Sequence, residues 1–527
     1  MIYRIKEYYI ELIAFAAFVT YAGILNLQFL EGSNVNYTFS GHDEYLTVRE
    51  VYSILNPASW KHFALSVAAG DVFFYGRAMF YIDALMAWLP YKIWGLAGMV
   101  FAIRMAHVLY LIIAVILLGK TFLSKTLSRL SFYLIVLTWY YTTYFVMIPK
   151  PEPLQLLIMA VFLFYSKKVS WQFGKHYVLL GIAYGLKFNV LMILPIFFGI
   201  PIITRTFKLK EAIVSIVYFL FGIVVAIPSL LLFPIKPVYL KFYLASTFGN
   251  TKHYDDTSVS FLDWLNNGLF QWYGGNSITG AIIFLAFILL VFWLVYRLLM
   301  MKELNSLVIL SGMAICFLMP VMLLTKRLWP HYLWTGSVLM ILSVFAFIDS
   351  LQIRDIIKNI SKYTMLACTL LVSVSSIIRL DHVFYLESDS KEIISSSIKA
   401  QNYISTKSNN FICAQDISVF LPFDDFVSSN RYHPFSTEYP YQKKQRIFST
   451  TKSGFVNPKE LFEMKANYLV TYRTDFESIE EADATKRNEI INKYNSQLRA
   501  ALLDKSIVKD TFFGKVKVYR ILVDDVK

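Results

Sequence analysis

A succession of long apolar stretches dominates the sequence and limits the folds open to it. The first stretch runs roughly from Ile10 to Phe29. Several of the stretches are about 17–25 residues long, which is the length that a helix needs to cross the hydrocarbon core of a bilayer. Because backbone polar groups in lipid must be bonded within the protein, the sequence predicts a bundle of membrane-spanning helices. The later stretches start near Phe101, Leu130, Pro153, Tyr177, Val190, Ala212, Ile282, Leu307, Leu333 and Tyr363.

The charge of the chain is unevenly distributed. Residues 381–527 hold 21 Lys and Arg against 20 Asp and Glu, so +13 of the total net charge of +14 lies before residue 381. Only 16% of the residues are charged and 57% are hydrophobic. Positive charge in short loops between apolar stretches orients membrane helices. We therefore expect membrane lipids, and no nucleic acid, among the partners of the chain.

One segment decides the predicted topology. Val72–Trp94 is rich in aromatic residues but carries Arg77 and Asp83, which favours a helix lying in the membrane interface over a span. With that segment on the outer face, six basic loops all fall on the inner side, as the positive-inside rule requires. The prediction is about eleven spans, an inner N-terminus and an outer C-terminus. The six loops are Arg4/Lys6, Lys120/Lys125/Arg129, Lys167/Lys168/Lys175, Arg205/Lys208/Lys210, Arg297/Lys302 and Arg354/Lys358/Lys362.

This topology gathers polar residues on or near the outer face. Two adjacent acids, Asp43 and Glu44, come soon after the first span. Acids next to lipid are energetically costly, so their presence there suggests a function. A set of acids and bases around one loop is typical of an active site. The other members of the set are Arg77, Arg104, Lys150, Glu152, Lys187, Lys326, Arg327 and His331.

Residues 381–527 form a different body from residues 1–380. Short β-rich runs alternate there with helical stretches, which predicts a small α/β domain on the outer face. The predicted strands are Phe411–Ala414, Tyr468–Tyr472 and Val516–Leu522, and the predicted helices are Glu392–Tyr403, Pro458–Lys465 and Ile479–Leu503.

Six short motifs follow one another along the chain: Asp43-Glu44, Phe74–Tyr81, Ile103–Met105, Lys150–Leu154, Gly185–Asn189 and Lys326–Tyr332. Each motif is weak alone, and their order is the specific part. Taken in this order they resemble the motifs of the GT-C membrane glycosyltransferases, which include protein O-mannosyltransferases, the related dolichyl-phosphate-mannose enzymes and bacterial lipid A aminoarabinose transferases. The usual His-Pro-Pro of the interfacial segment is absent.

The resemblance implies a sugar transfer from a polyprenyl-phosphate carrier to a lipid, glycan or protein acceptor on the outer side, with inversion. Asp43, supported by Glu44, would be the base that deprotonates the acceptor hydroxyl. The carrier phosphate would be held by Lys187, Lys326, Arg327 and Arg104. Glu152 and His331 would bind the acceptor or share a divalent metal ion with Asp43. Whether the carrier is undecaprenyl or dolichyl phosphate, and whether a metal takes part, is left open.

Each of these residues also has a structural interpretation. Glu152 suits the start of a helix, and Lys187 in an apolar run commonly pairs or reaches toward the interface. Lys326 and Arg327 could anchor a helix end. The alternative function is a polytopic transporter or lipid flippase, which would place ionisable residues near mid-membrane on broken or repeated helices. In either case we expect a multi-pass protein of the bacterial inner (plasma) membrane, with its site and C-terminal domain on the outer side.

Overall fold

The computed structural model describes residues 2–27, 30–31, 36–37, 42–57, 60–68, 76–228, 260–266, 277–301, 306–324, 332–350, parts of 363–374, 381–407, 411–415, 446–450, 461, 465–471 and 496–522. Contacts between Cα atoms divide the chain into two compact units. The first comprises Met1–Leu30, Phe74–Ile235 and Ser258–Val383, and the second comprises Glu31–Phe73, Lys236–Thr257 and Phe384–Lys527.

The chain is mainly helical. Phe188–Ile193 is a 3₁₀-helix, and a single turn lies at Phe261–Asp263. The α-helices are α1 (Ile2–Leu27), α2 (His42–Leu55), α3 (Trp60–Ala68), α4 (Arg77–Phe122), α5 (Thr126–Thr138), α6 (Tyr140–Met147), α7 (Pro151–Lys168), α8 (Tyr177–Leu186), α9 (Leu194–Ile203), α10 (Leu209–Ala226), α11 (Ser277–Met301), α12 (Ser306–Leu324), α13 (Trp334–Ser350) and α14 (Asp381–Lys407).

Five helices in the described part of the chain are long and apolar enough to cross a membrane. They are Tyr9–Leu27, Arg77–Phe122, Leu209–Ala226, Gly280–Met300 and Ser306–Leu323. Other predicted spans are divided into shorter pieces: the stretch from Leu130 becomes α5 and α6, and the stretch from Val190 becomes the 3₁₀-helix and α9. The predicted count of about eleven spans is therefore not confirmed.

Polar contacts of α1 define two ends of the first unit. At one end, Glu11 Oε1 lies 2.8 Å from Arg129 Nη1 and 3.9 Å from Lys120 Nζ. At the other, Asn26 Nδ2 donates to the carbonyl of Val146 at 3.3 Å and lies 4.0 Å from Met105 Sδ. Since Glu11 meets Lys120 and Asn26 meets Met105, α1 and the later part of α4 run antiparallel.

The end marked by Glu11 also gathers the ends of other helices. Lys167 Nζ, in the last turn of α7, donates to the carbonyl of Thr121 in the last turn of α4. The carboxylate of Asp349, in α13, accepts from the backbone N–H groups of Ser124 and Lys125, both at 3.0 Å, and so holds the turn before α5 against α13. The loops that follow α4 and α7 were predicted to share one side of the membrane, and they do start from the same end of the unit. That this end faces the inner side stays a prediction.

Helix α4 consists of two arms that meet at Gly95. This glycine has φ 62° and ψ −147°, a conformation in which a side chain would be strained. Asp83 Oδ2 lies 3.0 Å from His107 Nε2, and Tyr110 donates to Asp83 Oδ1 at 3.1 Å. Asp83 precedes Gly95 by 12 residues and His107 follows it by 12, so the arm 77–94 folds back along the helix after it. That this arm lies along the outer face without crossing stays a prediction.

Small residues allow very close packing of α8 on α10. Gly181 and Gly185 are four residues apart on α8, as Gly222 and Ala226 are on α10. A Cβ at Gly222 would lie 2.2 Å from the carbonyl oxygen of Val178, and one at Gly181 would lie 2.0 Å from that of Phe219. Such small-residue pairs bring helix backbones together in membranes, where the hydrophobic effect does not drive helix association.

Replacing Gly222 with Leu should separate α8 from α10, because a side chain cannot enter a space bounded by backbone atoms. Overpacking of this kind costs about 1–3 kcal/mol of unfolding free energy. Thermal unfolding of the purified protein in detergent measures the loss. The control is Gly23→Leu in α1, where nothing lies within 4 Å of an added Cβ. Equal stability of the two variants would contradict the packing argument.

The described strands are β1 (Leu30–Glu31), β2 (Asn36–Tyr37), β3 (Phe411–Gln415), β4 (Arg446–Thr450), β5 (Tyr468–Thr471), β6 (Ile507–Phe513) and β7 (Val516–Ile521). The second unit contains a five-stranded sheet with the strand order β4-β3-β5-β7-β6. β3 pairs in parallel with β4 and β5, whereas β7 pairs antiparallel with β5 and β6. The three predicted strands and the helix predicted at Glu392–Tyr403 are confirmed; β4 and β6 were not predicted.

Candidate active site

An ion pair between Glu152 and Lys187 lies at the end of the first unit where α7 begins. Lys187 Nζ is 2.5 Å from Glu152 Oε1, and the two side chains are 13% and 2% exposed. Pro151 fixes the first helical position of α7, which places Glu152 in the first turn, where a carboxylate is favourable. The predicted phosphate-binding lysine and the predicted acceptor-binding acid thus contact each other.

A break after α8 brings Lys187 to this position. Its backbone is extended, with φ −157° and ψ 121°, and a 3₁₀-helix follows it. The side chain is therefore not held on the face of a regular helix, and its ammonium lies 4.9 Å from the centroid of the Tyr332 ring. The second carboxylate oxygen of Glu152, Oε2, is buried and has no hydrogen-bond partner among the described residues. This carboxylate oxygen, which lies beside a cation, can therefore accept a hydrogen bond from a hydroxyl or contact a further ligand.

Gln155 contacts the same break from one turn further along α7. Its side chain is fully buried. Its amide nitrogen, Nε2, lies 3.0 Å from the carbonyl oxygen of Ala183, 2.7 Å from that of Lys187 and 2.9 Å from Asn189 Oδ1. Sequence reasoning did not single out Gln155, because nothing in the spacing of α7 shows what lies opposite it.

Arg77 also comes to this end; the sequence counted it among the outer-face acids and bases but gave it no role in binding or catalysis. The preceding residue, Gly76, packs so closely on α8 that a Cβ there would lie 2.0 Å from the carbonyl oxygen of Gly185. Arg77 is 2% exposed, and its guanidinium lies 4.6 Å from the centroid of the Phe80 ring. The sequence signal was an arginine directly after a glycine at the start of a helix.

Arg104 precedes Met105 on α4, at the end of the unit marked by Asn26. α4 packs on α7, and the two helices run parallel: Thr121 meets Lys167 at one end, and at the other Asn26 contacts both Met105 and Val146, which lies shortly before α7. Because both helices rise about 1.5 Å per residue, Arg104 comes level with Lys150, just before Glu152. Both basic residues are buried, at 0% and 3% exposure. The first unit thus brings Arg104, Glu152 and Lys187 to one end.

The structure does not describe the side chains of the remaining predicted site residues. The backbone of Asp43 and Glu44 forms part of α2, which lies in the second unit. Lys326, Arg327 and His331 fall outside the described residues. Within the described ranges, no group of three or more His, Cys, Asp or Glu side chains is arranged to hold a metal ion. The roles given to all of these residues stay predictions.

Comparisons with known proteins identify the fold. No protein-family model matches the sequence, and no curated protein matches it. Two solved structures of ArnT from Cupriavidus metallidurans match over nearly the whole chain, each with a TM-score of 0.58. The apo structure is 11% identical and covers 96% of this chain and 97% of its own; the structure bound to undecaprenyl phosphate is 12% identical and covers 97% and 98%.

A third solved structure, the arabinofuranosyltransferase AftD from Mycobacteria, has a TM-score of 0.49 at 11% identity, covering 97% of this chain and 40% of its own.

The apolar helices and the similarity to ArnT support an integral membrane protein. The chain therefore has the fold of ArnT, a GT-C glycosyltransferase, as the order of its motifs predicted.

Proposed function

We propose that this protein is a glycosyltransferase that moves a sugar from a polyprenyl-phosphate-linked donor to a lipid, glycan or protein acceptor on the outer face of the membrane, with inversion. One observation carries the proposal: buried or nearly buried basic residues gather toward one end of a bundle with the fold of ArnT, and one of them, Lys187, contacts the carboxylate of Glu152. These residues are Arg77, Arg104, Lys150 and Lys187. Burying a charge has a large desolvation cost, so several buried cations at one end favour a function that needs positive charge.

The chemistry needs such cations. As the sugar leaves its carrier, negative charge develops on the phosphate, and positive side chains that are already in place stabilise it without reorganisation. Lys187 is paired with Glu152, so a bound phosphate would share that ammonium. Arg104, Arg77 and the predicted pair Lys326 and Arg327 would supply the remaining positive charge.

The acceptor hydroxyl must lose its proton as it attacks the sugar, and Asp43 is the base in this proposal, with Glu44 in support. Both acids come in α2, the next helix along the chain after α1. Glu152 and His331 would orient the acceptor or hold a divalent metal ion. The proposed organisation is a catalytic membrane domain, residues 1–380, and an outer α/β domain, residues 381–527.

Preferential binding of a phosphate-bearing lipid tests the proposal. Purified protein in nanodiscs should bind undecaprenyl phosphate about ten- to a hundred-fold more tightly than undecaprenol, since one charge-assisted bond to phosphate contributes about 1.5–3 kcal/mol. Release of carrier phosphate from a panel of polyprenyl-phosphate sugars should then require an acceptor. Equal affinity for the two lipids would count against the proposal, and movement of labelled lipid between leaflets without sugar transfer would favour a flippase.

A further inference from the structure

The backbone leaves the α-helical path at the end of α8. The N–H of Lys187 still donates to the carbonyl of Ala183 at 3.3 Å, which closes the last turn of the helix. Lys187 itself is extended, with φ −157° and ψ 121°, so its own carbonyl lies outside the helical repeat. In a membrane protein, groups freed by such a break must find other donors, because lipid supplies none.

Gln155 supplies a donor at this break. Its amide contacts the carbonyls of Ala183 and Lys187, which lie on either side of the break, and the side-chain oxygen of Asn189 in the 3₁₀-helix. One amide has two hydrogens for three acceptors, so the hydrogens are shared among them. A single side chain of the neighbouring helix thus bonds both sides of the break.

Glu152 and Gln155 are three residues apart on α7 and lie on the same face. Glu152 holds the ammonium of Lys187, and Gln155 holds its backbone carbonyl. The two contacts fix both ends of that residue from one helix. Without the second contact, the ammonium would still be attracted to Glu152, but the backbone that carries it would be free to move.

We propose that Gln155 is a positioning residue: by bonding the broken end of α8 it sets the place of the Lys187 ammonium, and through it the recognition of the carrier phosphate. This inference rests on the proposed function and adds a residue to it. A displacement of about 1 Å of a group that contacts the reacting centre lowers catalysis by as much as about a hundred-fold. A smaller, roughly ten-fold, effect is expected on binding.

The test compares affinities for undecaprenyl phosphate and undecaprenol, because their ratio cancels any general loss of lipid binding. Gln155→Met keeps the length of the side chain and removes both hydrogens, and the ratio should fall about ten-fold. Gln155→Glu, also of the same length, cannot donate once ionised and adds a negative charge, so the ratio should fall at least as far. If one of the two variants does not fold, the other still provides the measurement.

A background without Lys187 separates positioning from a general structural role. In the double variant Glu152→Gln/Lys187→Met, adding Gln155→Met should leave the ratio unchanged, since the group that Gln155 positions is gone. The inference is overturned if the ratio stays at the wild-type value in Gln155→Met or Gln155→Glu, or falls equally in the background without Lys187. A wild-type protein with no preference for the phosphate would instead reject the proposed function itself.

Discussion

Replacing Asp43 with Asn is expected to lower turnover by roughly 10²–10⁴-fold, the range typical for loss of a general base. The amide keeps the size and much of the hydrogen bonding of the carboxylate but cannot take a proton at neutral pH. Folding and binding of the carrier should survive, because the proposed phosphate site is built from other residues. The measurement is sugar transfer by purified protein, with undecaprenyl phosphate binding measured in parallel.

Glu44→Gln is the matched control, since it makes the same chemical change at the neighbouring position. It should reduce turnover less than Asp43→Asn does. Transfer by Asp43→Asn at close to the wild-type rate would show that the base is elsewhere. Glu152, with its second carboxylate oxygen unpartnered among the described residues, would then be the leading candidate.

Lys187→Met should destabilise the protein by about 3–5 kcal/mol, because it leaves the buried carboxylate of Glu152 without its cation. Removing both charges, in Glu152→Gln/Lys187→Met, should restore much of that stability. The double variant should still bind undecaprenyl phosphate poorly, since the ammonium is absent. Thermal unfolding reports the first effect and lipid binding the second, so stability and phosphate recognition are measured separately.

The exposed pair of Lys208 and Glu211 offers a control. Its atoms Nζ and Oε1 are 3.0 Å apart, but the side chains are 64% and 38% exposed. Surface pairs of this kind contribute about 0–1 kcal/mol, so Lys208→Met should change the stability little. If Lys187→Met and Lys208→Met lowered stability equally, the Glu152–Lys187 pair would not be the buried, stabilising contact described here.

The pattern of apolar stretches was enough to predict a helical membrane bundle, and the order of short motifs was enough to predict its fold. Both signals depend on local composition, which lipid constrains strongly because a span must be apolar and internally hydrogen-bonded. The strands at 411–415, 468–471 and 516–521 were also readable, since β-branched and aromatic runs mark them. β4 was missed because Arg446–Thr450 lacks a clear alternation of apolar and polar residues.

The number of spans was harder to predict from the sequence than the fold. Apolar runs around Leu130 and Val190 look continuous in the sequence but are interrupted in the structure. A further break, between α8 and the 3₁₀-helix, is bridged by Gln155 of another helix, which bonds the carbonyls of Ala183 and Lys187. Hydropathy records how a residue prefers lipid to water, and it carries no information on such a donor.

The sequence by itself determined which residues would be costly to bury, including Glu152, Lys187 and Arg104, and that such residues needed partners or a function. Only the tertiary structure decided that Glu152 and Lys187 are partners, since they are separated by 35 residues along the chain. Close glycine contacts of α8 with α10 and with Gly76 bring these elements to one end of the bundle. A buried charge requires a counter-charge somewhere, but which one it meets depends on how the helix backbones pack.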